Sequence, residues 1–272
     1  MISALVPRKI FENISELKNP KSQTPAADLN EQSEKYVIQD QFEERYASYK
    51  SLVRESFARG KSVIFLCPTS EDIDKTKSLI SKGIEDHTFI FNSLMTKNQL
   101  IKNWNEVIEH NRPVLIISTG NFISIPRHDI GTIIIEQESS NAFRMQQMPY
   151  ADIRTFAENY AAIIGARLFM GDLALRTETL ARYDTHEFLE EGTLKFRALT
   201  TADSKIIDMK SDSKDVFSVL SKETFEILNE AKHENELTFI FTARRGLAPS
   251  IICSDCGTVV SCRNCSSPVV LY

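Results

Sequence analysis

The chain has 272 residues, a formal net charge of −5 and 42% hydrophobic residues, enough apolar material for one large domain or two ordinary ones. The acidic balance excludes a protein held to nucleic acid by its overall charge. No apolar run approaches the length that crosses a bilayer, and Met1 to Ile14 lacks the apolar core of a secretory signal. We therefore expect a cytoplasmic protein with reduced thiols and no membrane contact.

The first segment of the chain, residues 1–28, carries proline, lysine, serine and asparagine without a sustained apolar period. Within it, Asn19 to Pro25 has the composition of a linker. We expect residues 1–28 to form a partly ordered tail ahead of the first folded domain.

Short apolar runs rich in β-branched residues then alternate with segments of helical period. One helical segment opens with the capping box Thr96-x-x-Gln99, and another extends from Tyr150 to Ile164. The apolar runs, which are typical of buried parallel strands, are Val63–Leu66, Thr88–Phe91, Pro113–Ile117, Thr132–Ile135 and Arg167–Met170. The alternation predicts a doubly wound α/β lobe whose ligands lie at the carboxyl ends of the strands.

One stretch of this region imitates a phosphate-binding loop. Residues 55–62 differ from the pattern G-x-x-x-x-G-K-[ST] only in having Glu55 for the first glycine, and they end in Gly60-Lys61-Ser62. The motif needs a strand before it and a helix after it, whereas here a helical run comes first and a strand follows. We therefore interpret Gly60 as the residue that ends a helix.

The region after this lobe is richer in charge. Residues 177–213 have the composition of a charged connector, and Ser221 to Lys232 has the period of an amphipathic helix. An apolar, strand-like run from Leu237 to Phe241 follows, and it leads to the paired arginines Arg244 and Arg245.

Four of the five cysteines lie close together near the end of the sequence. Cys253, Cys256, Cys262 and Cys265 form two C-x-x-C pairs, and each pair can bring two thiolates of one tight turn to the same ion. A disulfide framework is not expected in a reducing compartment, and a thioredoxin-like redox pair would open a helix after a strand. We predict a zinc site at these four positions, and a buried thiol at Cys67.

The order of these motifs resembles the primosomal protein N′ family, the DNA helicases that restart stalled bacterial replication. In that family a strand runs into a paired arginine, then into C-x-x-C-G and C-x-x-C-x-x-P, and the same order stands here from Ala243 to Pro268. The run Ile133 to Ser139 is similar to the family's strand ending in D-E-E-H. The resemblance implies a RecA-like helicase lobe at 29–176, a connector at 177–236, and the start of a second lobe with a zinc-binding module at 237–272.

The resemblance also places the family's nucleotide residues on positions that have changed here. Gln32 stands where such motors contact adenine. Arg45 and Tyr46 take the places of the lysine and the magnesium-holding hydroxyl residue of the phosphate loop, and the loop before them contains no glycine. Glu136 and Gln137 replace the metal-holding aspartate and the glutamate that polarises the attacking water. We expect that none of these residues is catalytic and that ATP and magnesium are not bound in the usual way.

DNA contacts are implied at Thr119, Arg244 and Arg245, through position in the family pattern and, for the arginines, local positive charge. DNA and replication-restart proteins are the expected partners. The family's zinc module holds two ions through interleaved cysteine pairs. In this chain the four cysteines either close one zinc site across a short loop or form two half sites.

We interpret the chain as a degenerate, shortened relative of this family, a pseudo-helicase that binds DNA or replication partners without ATP turnover. Two alternatives stay open. The first is an active ATP-dependent 3′→5′ DNA helicase that works with an additional lobe, which nucleotide binding would favour. The second is a zinc-organised protein-interaction module, which DNA binding that falls steeply with salt would oppose.

Overall fold

A computed structural model describes residues 8–18, 33–145, 150–192, 194, 205–207, 220–241, 250–260 and 269. The chain divides into two compact units, Met1–Ala198 and Leu199–Tyr272. Across the described residues, no helix combines the length and the apolar character that spanning a bilayer requires.

Strands and helices alternate along the first unit, as the sequence predicts. The strands are β1 (Lys35–Gln39), β2 (Ser62–Cys67), β3 (Thr88–Phe91), β4 (Leu115–Thr119), β5 (Ile130–Glu136), β6 (Arg167–Asp172) and β7 (Leu189–Glu190). The helices are α1 (Arg8–Phe11), α2 (Phe42–Ala58), α3 (Ser70–Ile80), α4 (Lys97–Glu109), α5 (Ile153–Ile164) and α6 (Thr177–Asp184). Short 3-10 turns lie at Ile14–Glu16, Glu85–His87, Gly120–Phe122 and Asn141–Phe143.

The seven strands form one sheet in the order β3-β4-β2-β5-β6-β1-β7, and every neighbouring pair is parallel. Parallel neighbours must be joined by crossovers, which carry helices to both faces of the sheet. Strand β6 lies between β1 and β5, with Val37 opposite Met170 and Ile133 opposite Leu168. The predicted doubly wound α/β lobe is confirmed.

A separate apolar layer covers each face of the sheet. Tyr49, Phe65 and Ile73 belong to the layer under α2 and α3. Trp104 and Ala157 belong to the layer under α4 and α5. Strand β2 is buried along its whole length, because a strand covered on both faces has no side to expose to water.

Helix ends follow the signals in the sequence. The Gln99 backbone N–H donates to the Thr96 hydroxyl, and the Thr96 N–H donates to the Gln99 side chain, so the predicted capping box is formed. Gly60 follows the end of α2 at a φ of +70°, a left-handed conformation that glycine adopts without strain. The stretch that imitates a phosphate loop therefore closes a helix, as predicted.

Part of the expected tail is ordered against the lobe. Ile10 is buried in the apolar layer under α4 and α5, and Lys97 of α4 donates to the Glu16 carboxylate at 2.7 Å. Ile10, the partly buried Leu17 and a few polar contacts hold residues 8–18 in place. Two apolar residues seven positions apart leave no sustained period in the sequence.

The first unit continues past residue 176, where the sequence places the start of a connector. Helix α6 and strand β7 follow that point, and β7 pairs with β1 through Leu189 and Tyr36. Phe188 and Leu194 are buried in the core of the lobe. The charged composition of the region gives no sequence signal for these few apolar residues. Their burial holds the last strand, β7, at the edge of the sheet.

The second unit contains helix α7 (Lys222–His233), which begins after Ser221 as predicted. The strand predicted from Leu237 to Phe241 is not formed. This segment has no regular structure, and its apolar side chains are exposed. A strand needs a neighbouring strand to take its backbone hydrogen bonds. None of the described residues of this unit supplies such a neighbour to the segment.

Candidate functional site

Polar side chains meet at the carboxyl ends of three neighbouring strands. Gln39 ends β1, Asp172 ends β6 and Glu136 ends β5. Gln39 lies opposite Asp172, and Glu136 lies opposite Gly171. All three polar side chains are buried. Ligands of doubly wound sheets bind at this edge, and the resemblance places the nucleotide site here.

Arg45 and Glu136 form a buried ion pair at this edge. Arg45 Nε lies 3.1 Å from Glu136 Oε2, and Arg45 Nη2 lies 2.5 Å from Oε1, so the pair is bidentate. Arg45 Nη1 donates to the backbone oxygen of Asp40 at 2.7 Å. The side chains are 4% and 0% exposed. The resemblance assigns Arg45 to the family's lysine and Glu136 to its metal-holding aspartate, and in this structure the two residues are bound to each other.

Tyr49 completes this network from the next turn of α2. Its hydroxyl donates to Glu136 Oε2 at 2.6 Å, and its ring packs edge-on against Phe65. A Cβ atom on Gly171 would collide with the Tyr49 hydroxyl. The glycine of β6 therefore provides the room in which the hydroxyl reaches Glu136.

Charge is retained on the Arg45 side chain despite its burial. Burial alone would lower the pKa of Arg45, but the hydrogen bonds and the negative charge of Glu136 outweigh it and raise the pKa. Burial, and next the charge of Glu136, raise the pKa of Tyr49 well above its ordinary range, so its hydroxyl stays protonated and donates. The network therefore holds one cation, one carboxylate and one neutral donor.

The backbone ahead of Arg45 is taken up by helix α2. Only Asp40 and Gln41 separate the end of β1 from the first helical residue. The Arg45 N–H donates to the Gln41 oxygen at 3.0 Å, and the Gln41 N–H donates to the Asp40 carboxylate at 2.7 Å. In a phosphate loop such N–H groups face the phosphates. Here the N–H groups of Gln41 and Arg45 are bonded within the protein.

The turn after β5 is held by Glu138. Its buried carboxylate accepts the Arg176 N–H at 2.5 Å and the Thr179 hydroxyl at 3.2 Å, at the start of α6. Burial raises the pKa of Glu138, although those donors and the charge of Arg176 oppose the shift. Gln137, at the family's catalytic position, has a φ of +54°, a sparsely populated conformation for a residue with a side chain.

Tyr46, predicted at the place of the magnesium-holding hydroxyl, does not join the Arg45 network. Its hydroxyl lies 2.9 Å from the Thr76 hydroxyl of α3, and burial raises its pKa. The thiol of Cys67 lies 3.4 Å from the same Thr76 hydroxyl, and burial raises the pKa of Cys67 to about 12. The prediction of a buried thiol at Cys67 is confirmed.

The remaining predicted site residues lie apart from this network or outside the described residues. Thr119 ends β4 and is half-buried, at the same edge of the sheet. The others, Gln32, Arg244, Arg245, Cys262 and Cys265, all lie outside the residues that the structure describes.

Two of the predicted zinc ligands lie in a tight hairpin of the second unit. Ile252 bridges Val259 in antiparallel fashion, and the Cys253 N–H donates to the Thr258 oxygen at 2.9 Å. Hydrogen bonds with the Thr258 hydroxyl and backbone, and then with Cys253, lower the pKa of Cys256. The thiolate is the form that binds zinc, so the geometry and chemistry of this pair fit half of a four-thiolate site.

Sequence reasoning missed Tyr49, Glu138 and Asp172. The spacing Arg45-x-x-x-Tyr49 places two polar groups on one face of a helix, which was an available signal for a shared partner. Asp172 accepts the backbone N–H of Ser139 at 2.8 Å, and no local pattern indicates a contact across that distance in sequence.

The class of protein follows from the topology. The sheet is all-parallel and doubly wound. Strand β6 separates β1, which leads into the helix of Arg45, from β5, which ends in Glu136. This arrangement defines a RecA-like α/β lobe.

The chain is similar to replication restart protein PriA of several bacteria. It is 24% identical to that of Rickettsia prowazekii over 228 residues, which covers 82% of this chain and 35% of that protein. The chain is 24% identical to the Bacillus subtilis protein, with 80% of this chain and 27% of that protein covered. It is 22% identical to the Haemophilus influenzae protein, with 82% of this chain and 30% of that protein covered. The resemblance predicted from the motifs is confirmed, and the chain spans about a third of the length of these relatives.

No protein-family model matches the chain. Among solved structures, a DEAD box protein from Methanococcus jannaschii is 13% identical and covers 60% of this chain and 46% of that chain at a TM-score of 0.39. A likeness of that size adds nothing to the fold assignment.

Replacing Arg45 by methionine should destabilise the first unit by about 3–5 kcal/mol, because Glu136 would remain buried without its cation. Urea unfolding followed by the fluorescence of Trp104, the one tryptophan of the sequence, measures the loss.

The triple variant Arg45→Met/Tyr49→Phe/Glu136→Leu should regain most of that loss, since it removes every polar member of the network together. Arg54→Met, at an exposed arginine of the same helix, is the matched control and should change the free energy of unfolding by less than about 0.5 kcal/mol. Equal losses for Arg45→Met and Arg54→Met would contradict the role given to the ion pair.

Glu138 should make stability depend on pH. Its folded-state pKa is raised above the ordinary value of 4.5, so its contribution is fully present below that value and is lost as the pH rises through the folded-state pKa. The free energy of unfolding of Glu138→Gln, measured from about pH 4 to about pH 7, should therefore rise relative to that of the unsubstituted protein. Parallel pH profiles for the two proteins would disprove the assignment.

Proposed function

We propose that this chain is a helicase-like protein of replication restart whose first lobe binds DNA or replication partners without turning over ATP. The observation that carries the proposal is the Arg45–Glu136 ion pair, which takes up the two charged groups that a nucleotide and its magnesium ion would use. The similarity to replication restart protein PriA supports the cellular process.

A phosphate at this site would have to compete with Glu136 for Arg45. The guanidinium donates to Glu136 through two nitrogens and to the Asp40 backbone through the third. Removing Arg45 from this arrangement would leave a buried carboxylate without its cation, at a cost of about 3–5 kcal/mol. That cost is a large part of the roughly 8 kcal/mol that holds a micromolar complex together.

Metal binding and proton transfer meet similar obstacles. The two oxygens of Glu136 already accept from Arg45 and Tyr49, so a magnesium ion would have to displace these donors. Gln137 carries a neutral amide that cannot take a proton from water. The residues present therefore do not fit a magnesium–ATP complex, and no catalytic step is assigned to them.

We place DNA contacts at Thr119, Arg244 and Arg245. Thr119 stands at the carboxyl edge of the sheet, and the two arginines supply positive charge in a chain of net charge −5. Arginine contacts to phosphate are independent of sequence and weaken as salt is added.

We place zinc at the four cysteines. The hairpin of Cys253 and Cys256 presents two thiols at one turn, and Cys262 and Cys265 have the spacing of a second such pair. A zinc ion held by four thiolates stabilises the fold around it and leaves no open position for a substrate.

The function is tested by calorimetry and by DNA binding on the full chain. We expect no magnesium-dependent ATP binding tighter than about 1 mM, and binding of a fluorescent single-stranded oligonucleotide that weakens with salt. Arg244→Ala/Arg245→Ala should lower the slope of log affinity against log salt by about 1–2, whereas Arg54→Ala should leave it unchanged. Magnesium-dependent ATP binding that Glu136→Gln abolishes would contradict the proposal and favour the active-helicase alternative.

The purified chain should carry about one zinc ion, since four thiolates complete one tetrahedral site. Metal analysis by plasma emission measures the content. Cys256→Ser should lose the zinc, and Cys67→Ala, at the buried thiol of the first unit, should retain it. Two zinc ions per chain, or none after zinc is added, would refute a closed four-thiolate site.

A further inference from the structure

The amino-end edge of the sheet, opposite to the candidate site, carries a half-open cavity of about 460 Å³. It lies among the starts of β1, β2, β5 and β6 and the end of α2. The lining residues that matter here are Glu34, Ser56, Arg59, Lys61, Thr132 and Arg167. The cavity has the size of a small-molecule site.

Positive charge predominates in this cavity. Arg59 and Lys61 lie in the connection between α2 and β2, Arg167 begins β6, and Glu34 is the one carboxylate among the described lining residues. Glu34 accepts the Tyr36 hydroxyl at 2.8 Å. Three cations therefore face a single carboxylate that already has a donor.

A carboxylate outside the lining, Glu55, holds the two arginines side by side. Its Oε1 lies 2.6 Å from Arg59 Nη2 and 3.3 Å from Arg167 Nη1. A guanidinium has five N–H donors, so one shared carboxylate oxygen leaves most of them available. The arrangement fixes two cations in position without neutralising both.

Lys61 has no hydrogen-bond or ion-pair partner for its ammonium group among the residues that the structure describes. Its aliphatic stem lies against Gly131, where an added Cβ would stand 2.7 Å from Lys61 Cβ and 2.8 Å from Cγ. The register of β2 against β5 shifts at this point, and a bulge beside glycine allows such a close approach. The sequence feature that imitates a phosphate loop thus delivers an unpaired, positioned lysine to the cavity.

A simpler role for these cations would be to neutralise the partial negative charge at helix ends. Helices α2 and α5 both end here, and their last carbonyls carry partial negative charge. The Ser56 oxygen already accepts the Lys61 N–H, and the Ala161 oxygen accepts the Ala166 N–H, each at 2.9 Å. Backbone donors therefore serve at least the Ser56 and Ala161 carbonyls, and no described hydrogen bond joins the Lys61 ammonium to a helix end.

We propose that this cavity binds the phosphate group of a small phosphorylated molecule, with Lys61, Arg59 and Arg167 as the charged donors. Ser56 and Thr132 also line the cavity, but their hydroxyls are bonded to each other at 2.9 Å and that of Ser56 to the Leu52 oxygen, so the three cations are the donors proposed here. A recessed cavity admits a small anion more readily than the long backbone of a nucleic acid. The site is separate from the Arg45 network and does not depend on the function proposed above.

The test is a calorimetric titration of the full chain with pyrophosphate at low salt and without magnesium. Saturable binding is expected. Lys61→Gln should weaken it by about 10-fold or more, the size of one lost charge-assisted hydrogen bond. Lys102→Gln, at an exposed lysine of α4, is the matched control and should leave the affinity unchanged.

A second variant tests the positioning of the lysine. Gly131→Ala keeps the ammonium but displaces its stem, so it should also weaken pyrophosphate binding, and urea unfolding followed by Trp104 fluorescence checks that the lobe stays folded. Absence of saturable binding, or equal losses for Lys61→Gln and Lys102→Gln, would overturn the proposal. If Lys61→Gln weakens oligonucleotide binding while pyrophosphate does not bind, the cavity contacts a nucleic-acid backbone and the small-molecule proposal fails.

Discussion

The carboxyl edge of the sheet depends on the ion pair between Arg45 and Glu136. A buried pair of charges persists only when further hydrogen bonds satisfy both members, and here Tyr49 and the Asp40 backbone supply them. Because Arg45 and Tyr49 belong to α2, Glu136 to β5 and the permissive Gly171 to β6, one interaction fixes three elements against each other. Changing any of these residues alters the environment of all the others.

The same edge is tied together by carboxylates whose partners are mainly backbone groups. Asp172 accepts from Ser139 and Leu173, and Glu138 accepts from Arg176 and Thr179. In a site that binds nucleotide, groups in these places would be satisfied in part by phosphate, metal and water. Here the protein satisfies them itself, which stabilises the lobe and accounts for the buried polar residues at this edge.

Local patterns in the sequence were sufficient for the doubly wound class of the first lobe, but they did not indicate α6 and β7. The β-branched runs, the capping box at Thr96 and the turn at Gly60 each express a preference of a few neighbouring residues, and the structure realises them. The partner of Arg45 could not be found this way, because Glu136 lies 91 positions along the chain and the contact exists only once the sheet is assembled. The predicted strand from Leu237 to Phe241 was wrong for the same physical reason, since apolar alternation expresses a tendency and a strand needs a neighbour to complete it.

The short connection between β1 and α2 has a consequence for any conversion of this lobe into a phosphate-binding one. With two residues left between strand and helix, the difference from a phosphate-binding loop lies in the course of the main chain as well as in its side chains. Exchanging Arg45 for lysine would restore a residue type while its amide remained bonded inside the helix. A change to the main-chain course of a phosphate-binding loop would require the first turn of α2 to unwind and several positions to change together, which no single substitution would accomplish.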